Sequence, residues 1–538
     1  MLGADPASGG APKKDSDVDE LRALLSAQQK QIEQLRTALD EQKKVIEKLA
    51  PAQDGNAQFS LPNTPKLGEV ATTSPVLPAA PAPLPAPAAG TGQGKDDSAP
   101  LQLKLGNVSI SPVGFMDMTS VSRSTNPGSG IGTNFGSIPY GNTQAASLTE
   151  TRFSIQNSRI GARFDTGFNG FNVTGYWESD FLGQLGNPPN GGLAVSSNPF
   201  VFRMRLYWVD VQKSNWEFLA GQSWSLMTPN RKGVSPLPGD IFYSQDMDVN
   251  YQAGLVWSRV GGFRGAYHFG DKAAFAVSVE NSEPYIGGGN GGSAVTTPAA
   301  IAAASGVVGT QINNGTSVIS AAALMPDIIA KVAFDPSRRA HFEIAGVMVA
   351  NKFSDPVSTP VYQTSTKVGG GGSVNMNFEL FKGFRFVSNN FWNAGAGRYI
   401  FGQAPDFIIR PDGTLSLVHS ASTVTGFEAQ ARKTLIYAYY GGVYIDKNTA
   451  LDTTGKLIGY GPISNDGQNR AIQEITLGTN STLAKNPKWG ALNLITQFSY
   501  LQRNPWLVTG TSPTNAHLEM GFIDLRYTLP GAPAPKMY

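Results

Sequence analysis

The chain of 538 residues contains no cysteine, which excludes a disulfide framework and a thiolate-held metal. Charge is scarce. Asp, Glu, Lys and Arg make up 15% of the residues, against ~25% in ordinary soluble domains. The net charge of +2 is too balanced to argue for a nucleic-acid partner, and none is expected. No run approaches ~18–20 uncharged apolar residues, so no membrane-spanning helix is predicted. The opening MLGADPASGG lacks the basic-then-apolar order of an export leader. The reading developed below requires export, so either a mature form or a start downstream of the leader is expected. Chemical motifs are equally sparse. His268, His341, His419 and His517 lie far apart, and no HExxH, GxSxG or P-loop spacing is present. No catalytic residue, metal or cofactor is predicted, and the missing nucleophile motif weighs against an enzymatic barrel. Asp446 and Asp452 are acidic loop positions that could bind calcium. His268 and His341 share parity with polar neighbours and are expected to be wetted.

Three segments make up the chain. The first carries heptads. Val18, Leu21, Leu25, Gln28, Ile32, Leu35, Leu39, Gln42, Ile46 and Leu49 recur in steps of three and four without a slip. This predicts a coiled coil over 17–50, after a disordered stretch over 1–16. Leu24, Ala38 and Val45 widen its seam, and the Gln layers suit three strands better than two. The second segment, 51–100, contains SPVLPAAPAPLPAPAAG and predicts an extended Pro/Ala-rich linker.

The third segment, 101–532, reads as β-structure, with a short tail over 533–538. Sixteen strands are predicted near 108–120, 154–165, 171–182, 201–212, 216–225, 252–268, 273–281, 327–335, 340–352, 367–379, 384–395, 423–432, 434–446, 470–481, 490–502 and 516–529. The stretch VWSRVGGFRGAY is taken as one strand bent at Gly261-Gly262. Connections then alternate long and short. TGFNG, QKSN, GDK and LFKG are tight, whereas 121–153, 183–200, 226–251 and 282–326 are long. Outer-membrane barrels show this asymmetry, with short turns on the periplasmic rim. An even strand count that begins with a long loop puts both termini on that rim.

The stretch FRMRLYW, 202–208, shows the polarity of such a wall. Phe202, Met204, Leu206 and Trp208 share one parity; Arg203, Arg205 and Tyr207 share the other. Charges repeat this on neighbouring strands, with Arg159 and Arg163 on the second and Glu178 and Asp180 on the third. Ile160, Phe164, Val173 and Trp177 take the opposite face. Arginine facing lipid costs roughly 2–4 kcal/mol at mid-depth, so these arginines are expected inside, facing water. Trp177, Phe181, Trp208, Trp216, Trp224 and Trp257 lie near strand ends, as an interfacial aromatic girdle would. The fold expected is therefore all-β: a 16-stranded antiparallel transmembrane β-barrel preceded by an α-helical coiled coil. The alternative is a soluble antiparallel sheet whose charged face meets solvent.

ESDFLGQ at 178–184, FRMRLYWVDV at 202–211 and LAGQSWSLMTP at 219–229 resemble the DcaP-like trimeric porins of Gram-negative outer membranes. That resemblance implies a homotrimer in outer-membrane lipid, a periplasmic coiled coil ahead of the barrel, and passage of small, often negatively charged hydrophilic solutes such as dicarboxylates. Peptidoglycan is a candidate partner of the coiled coil. The phosphate-selective porins are the nearest competitor, and a structural tether without an open channel is a third reading. The tail GAPAPKMY after the last strand departs from the usual ending on a strand with a terminal aromatic.

A barrel of this size encloses an aqueous channel that something usually narrows. The third long loop, 226–251, is expected to fold inward with Arg231, Lys232, Asp240, Asp246 and Asp248. Opposite Arg159, Arg163, Arg203 and Arg205, it would set a field across a constriction. Residues 1–100 hold 13 acidic and 10 basic side chains, which leaves the remainder with five surplus cations. Such a surplus favours anions.

Overall fold

In the computed structural model, the described residues are 102–183, 200–242, 245–304, 307, 310–315, 321–358 and 361–530, with Lys30 and Glu33. Lys30 and Glu33 are helical and exposed. The heptad positions Val18 to Leu49, the linker and the tail lie outside the described residues.

Alternating residues between tight turns build one closed sheet. Its staves are β1 Val108–Arg123, β2 in two pieces Glu150–Ser154 and Arg159–Phe168, β3 Phe171–Gly183, β4 Val201–Lys213, β5 Trp216–Trp224, β6 Arg259–Phe269, β7 Ala273–Glu280 and β8 Asp327–Ser337. The second half comprises β9 Ala340–Ser354, β10 Thr364–Phe381, β11 Phe384–Ala394, β12 His419–Ala431, β13 Thr434–Ile445, β14 Asn469–Asn486, β15 Gly490–Pro505 and β16 Ala516–Thr528. Each stave pairs antiparallel with the next, and β1 pairs with β16 to close the barrel. The short strand Leu103–Leu105 hairpins onto the start of β1.

Asp117 organises the closure. Its carboxylate accepts from Arg526 on β16 and from Asn157 in the break of β2, and its backbone N–H donates to Ser158 Oγ. Both pieces of β2 lie along β1, so the interruption leaves the stave in place.

The two faces invert the order of a soluble sheet. Phe263 is 68% exposed and Ile344 66% exposed on the outside. On the inside, Glu178 is 3% and Arg205 is 1% exposed. An exterior this rich in apolar groups suits hydrocarbon.

Three expectations change. The strand placed over 252–268 begins at Arg259. Residues 252–258 belong to the inward loop, because the backbone N–H groups of Ala253, Gly254 and Val256 donate to side chains of the far wall and its loops. From Arg259 the strand runs through Gly261 and Gly262 in regular register with β5. Next, the alternation of FRMRLYW fails halfway. A register shift falls where Glu178 faces Leu206 and Ser179 faces Met204. That bulge places Arg205 and Leu206 both inside, so Leu206 and Trp208 face inward and Tyr207 and Val209 outward. Third, Trp208, Trp224 and Trp257 are buried, whereas Trp216 stays exposed. Trp208 is turned in by the bulge, Trp224 packs on the inward loop and Trp257 belongs to it, so these three form no girdle.

Candidate functional site

The loop from Ser225 to Ser258 leaves β5, crosses the lumen and returns to β6. Its root is tied by Arg264 of β6, which donates to Trp224 O at 2.7 Å and Val234 O at 3.0 Å. The Leu226 N–H donates to Glu280 of β7 at 2.8 Å. Apolar residues Leu226, Met227, Val234, Leu237, Ile241, Phe242 and Met247 are buried between the walls. A loop with this many apolar groups gains more inside the barrel than over its rim.

Beyond the root, the loop meets the far wall. Asn230 N–H donates to both Glu343 oxygens at 3.1 Å, and Lys331 Nζ reaches Thr228 O at 2.7 Å and Glu343 at 3.2 Å. Arg231 pairs twice with Glu428 of β12, at 2.9 and 2.6 Å. Gln245 N–H donates to Tyr439 Oη at 3.1 Å and Met247 N–H to Gln497 at 2.6 Å. Asp246 accepts from Thr476 at 3.1 Å and from Gln497. Ala253 N–H donates to Glu474 at 2.8 Å. Gly254 has φ +84°, and a Cβ there would stand 2.6 Å from Gly442 O and 2.8 Å from Thr423 O. Loop backbone thus presses on the wall where only glycine fits, against the Gly441-Gly442 pair of β13.

The near wall is self-paired. Arg159 lies 3.4 Å from Glu178, and Arg205 lies 3.0 Å from Glu178 and 2.6 Å from Asp180. Arg203 holds Asp180 through two bonds, at 3.0 and 2.7 Å. Arg163 pairs with Asp165 at 2.8 Å. The four arginines point inward as expected, but Arg159, Arg163 and Arg205 meet carboxylates in place of water. Only Arg203, with 39% of its side chain exposed, stays open to solvent. The loop touches this wall through Tyr251, whose hydroxyl accepts from Arg205 at 3.3 Å and Arg159 at 3.5 Å.

The loop's own charges divide. Arg231, Asp246 and Asp248 are buried, Asp240 is half-buried and Lys232 is exposed. Burial raises the Asp240 carboxyl to about 6, against the pull of Lys232 and Arg163. Burial, then the Asp248 charge beside it, raises Asp246 to about 8. Burial also raises Asp248, opposed by Arg123. Burial alone would raise the Tyr251 phenol, but Arg159, Arg205 and Arg259 bring it below the ordinary value.

His341 is not wetted. It is buried and lies 2.8 Å from Asp335 and 3.2 Å from Glu343. His268 is half-buried and bonds Glu217 at 2.7 Å.

Sequence reasoning missed Glu343, Glu428, Glu474, Gln497 and Tyr251, whose partners lie far away in the chain. It also missed Arg259. This guanidinium lies 5.0 Å from the ring centroids of both Trp224 and Trp257, and its Nη1 has no hydrogen-bond partner among the described residues. The expected strand over 252–268 runs past this point, whereas the observed strand begins at Arg259, where the loop returns to the wall.

No family model matches the sequence, and no curated protein matches it. Among solved structures, the outer membrane channel DcaP of Acinetobacter baumannii aligns with 80% of this chain and 99% of its own, at 15% identity and a TM-score of 0.55. OmpT of Vibrio cholerae aligns over 79% and 99% at 10% identity and a TM-score of 0.41. The Salmonella typhi OmpF complex with daunomycin aligns over 80% and 100% at 9% identity and a TM-score of 0.41. The chain thus resembles the DcaP channel in fold, as a closed antiparallel barrel of sixteen staves.

Proposed function

We propose that this protein is a porin of the bacterial outer membrane, through which small hydrophilic solutes diffuse passively with anions preferred. The observation that carries the reading is the loop Ser225–Ser258. It lies across a barrel whose outside is apolar and whose inside is charged. Arg159, Arg163, Glu178, Asp180, Arg203 and Arg205 form one side of the passage, and Arg231, Lys232, Asp240, Asp246 and Asp248 ride on the loop. The surplus of basic over acidic groups after residue 100 supports the anion preference. Arg203, with part of its side chain open to solvent, is the cation best placed to meet a passing anion. The short-turn rim is periplasmic, with both termini there, and the heptads of 17–50 gather three chains.

Buried loop side chains lie between the walls, so passage widens when the loop shifts. Conductance in planar bilayers tests this. The native chain is expected to open in steps of three from a low resting level, and a salt gradient should give an anion-selective reversal potential. A cation-selective potential would remove the preference. The same inward loop favours a second reading, a closed barrel that serves as an anchor for the coiled coil. A native chain and loop variants that all stay silent would establish that reading instead.

A further inference from the structure

The outside of the barrel is not uniform. On β6 to β9 its outward residues are apolar, among them Phe263, Phe275, Val277, Val332 and Ile344. On β11 and β12 four polar residues face outward and bond to one another. Ser388 Oγ lies 3.0 Å from Thr425 Oγ1, Asn390 donates to Ser388 at 2.9 Å, and Thr423 donates to Asn390 at 2.9 Å. Asn390 is central in the eleven-residue stave Phe384–Ala394, which places the knot at mid-depth. The seam continues with Tyr440 donating to Gln473 at 3.2 Å, Thr479 and Thr496 at 2.8 Å, and Ser122 and Thr151 at 3.0 Å. Polar groups at hydrocarbon depth are costly against lipid and are found where protein covers them.

Beside the knot lies a groove of about 700 Å³ across β13, β14, β15, β16 and β1. Leu477, Phe498, Ile436 and Ile523 stand around small floor residues, among them Gly521. A side chain built at Gly521 would meet nothing within 4 Å. A side chain there would project into the groove and not into the wall.

Two further facts select the occupant. Seven staves from β11 round to β1, at about 4.8 Å between neighbours and more along the circumference once tilted, span roughly 30–40 Å. With an apolar band about 25 Å tall, the sector covers roughly 750–1,000 Å² per copy, the size of a standard stable interface. In addition, the short strand Leu103–Leu105 pairs with the start of β1, so the sector also borders the stave on which the barrel begins.

We propose that the outward face of β11 to β16 with β1 is where copies of this chain pack on one another. It rests on the outer-membrane porin reading. Apolar side chains of the neighbouring copy fill the hollow at Gly521, and the Ser388–Asn390–Thr423–Thr425 knot is covered by protein.

The absence of native cysteine allows a clean test on the full chain in liposomes. Thr423→Cys and Thr496→Cys sit on the proposed interface, and Val277→Cys sits on the apolar side. A lipid-soluble maleimide should label the Val277 variant readily and the other two roughly tenfold more slowly, with protection lost on heating to monomers. Gly521→Trp should lower the temperature at which the unboiled oligomer band dissociates, while the folded barrel still migrates fast. Equal labelling of all three cysteines would overturn the proposal and assign the groove to lipid acyl chains. A native chain that is folded but monomeric in liposomes would overturn it too, with the porin reading intact. Failure of the Val277 variant to label because the chain does not insert would instead sink the porin reading, and the interface with it.

Discussion

The loop's two landing places differ in kind. On the near wall, Arg159, Arg203 and Arg205 already share Glu178 and Asp180, and the loop adds the Tyr251 hydroxyl and an apolar cluster of Leu237, Ile241 and Phe242 with Tyr176, Leu206 and Trp208. On the far wall, Glu343, Glu428 and Glu474 look inward, and the loop supplies donors to each of them. The near wall pairs its own charges, three arginines on two carboxylates; on the far wall Glu343 is also held by Lys331 and His341, whereas Glu428 takes the Arg231 cation from the loop. If the chain acts as a porin, a loop seated this way is expected to hinge on the far wall and release first from the near one. Its retraction would open a passage beside the arginines.

Breaking the far-wall seat should therefore have the largest effect. Arg231→Ala strands a buried Glu428, and losing one partner of a buried pair costs about 3–5 kcal/mol. The expected outcome is a several-fold rise in the time spent open, read by single-channel recording. A similar rise on loosening Tyr251 with Tyr251→Phe would erase the contrast between the walls. Arg205→Ala ranks next. It leaves Glu178 and Asp180 with Arg159 and Arg203 alone, so anion preference should fall or reverse in a salt gradient while the loop stays seated.

The third effect is pH dependence through Asp246. Its carboxyl titrates at about 8 with the loop in place, raised by burial and then by Asp248, and at ~3.9 once released into water. A raised folded value means that the seat is fullest below about 4, weakens as pH rises, and loses this contribution above about 8. Opening should increase from pH 5 to pH 9, and Asp246→Asn should flatten the curve. Arg259→Gln should act least, shifting the reversal potential modestly toward cations with the conductance unchanged. That outcome would show that the cation between Trp224 and Trp257 tunes selectivity without holding the loop.

Much of the wall was legible. Fifteen of the sixteen predicted strands begin and end close to the observed staves, because period-two alternation and tight turns are local signals. The exceptions are instructive. FRMRLYW looks regular, but its bulge is set by the neighbouring stave, where Glu178 and Ser179 meet Leu206 and Met204. The over-extended strand at 252–258 has strand-like residues whose backbone is claimed by Glu474, Gln403 and Asn389. The inward arginines could be read from parity, but their partners could not. Glu428 lies 197 residues from Arg231, and no periodicity connects them.

The amino-acid order alone determined which segments are staves, which connections are tight, and which face of most staves is apolar. These follow from side-chain period and turn chemistry within a few residues. The tertiary structure decided which charges neutralise one another, where the long loop rests and how much of the lumen it fills. Those outcomes depend on groups brought together only when the sheet closes. Burial then makes each of those inward charges take whatever partner the closed barrel sets beside it.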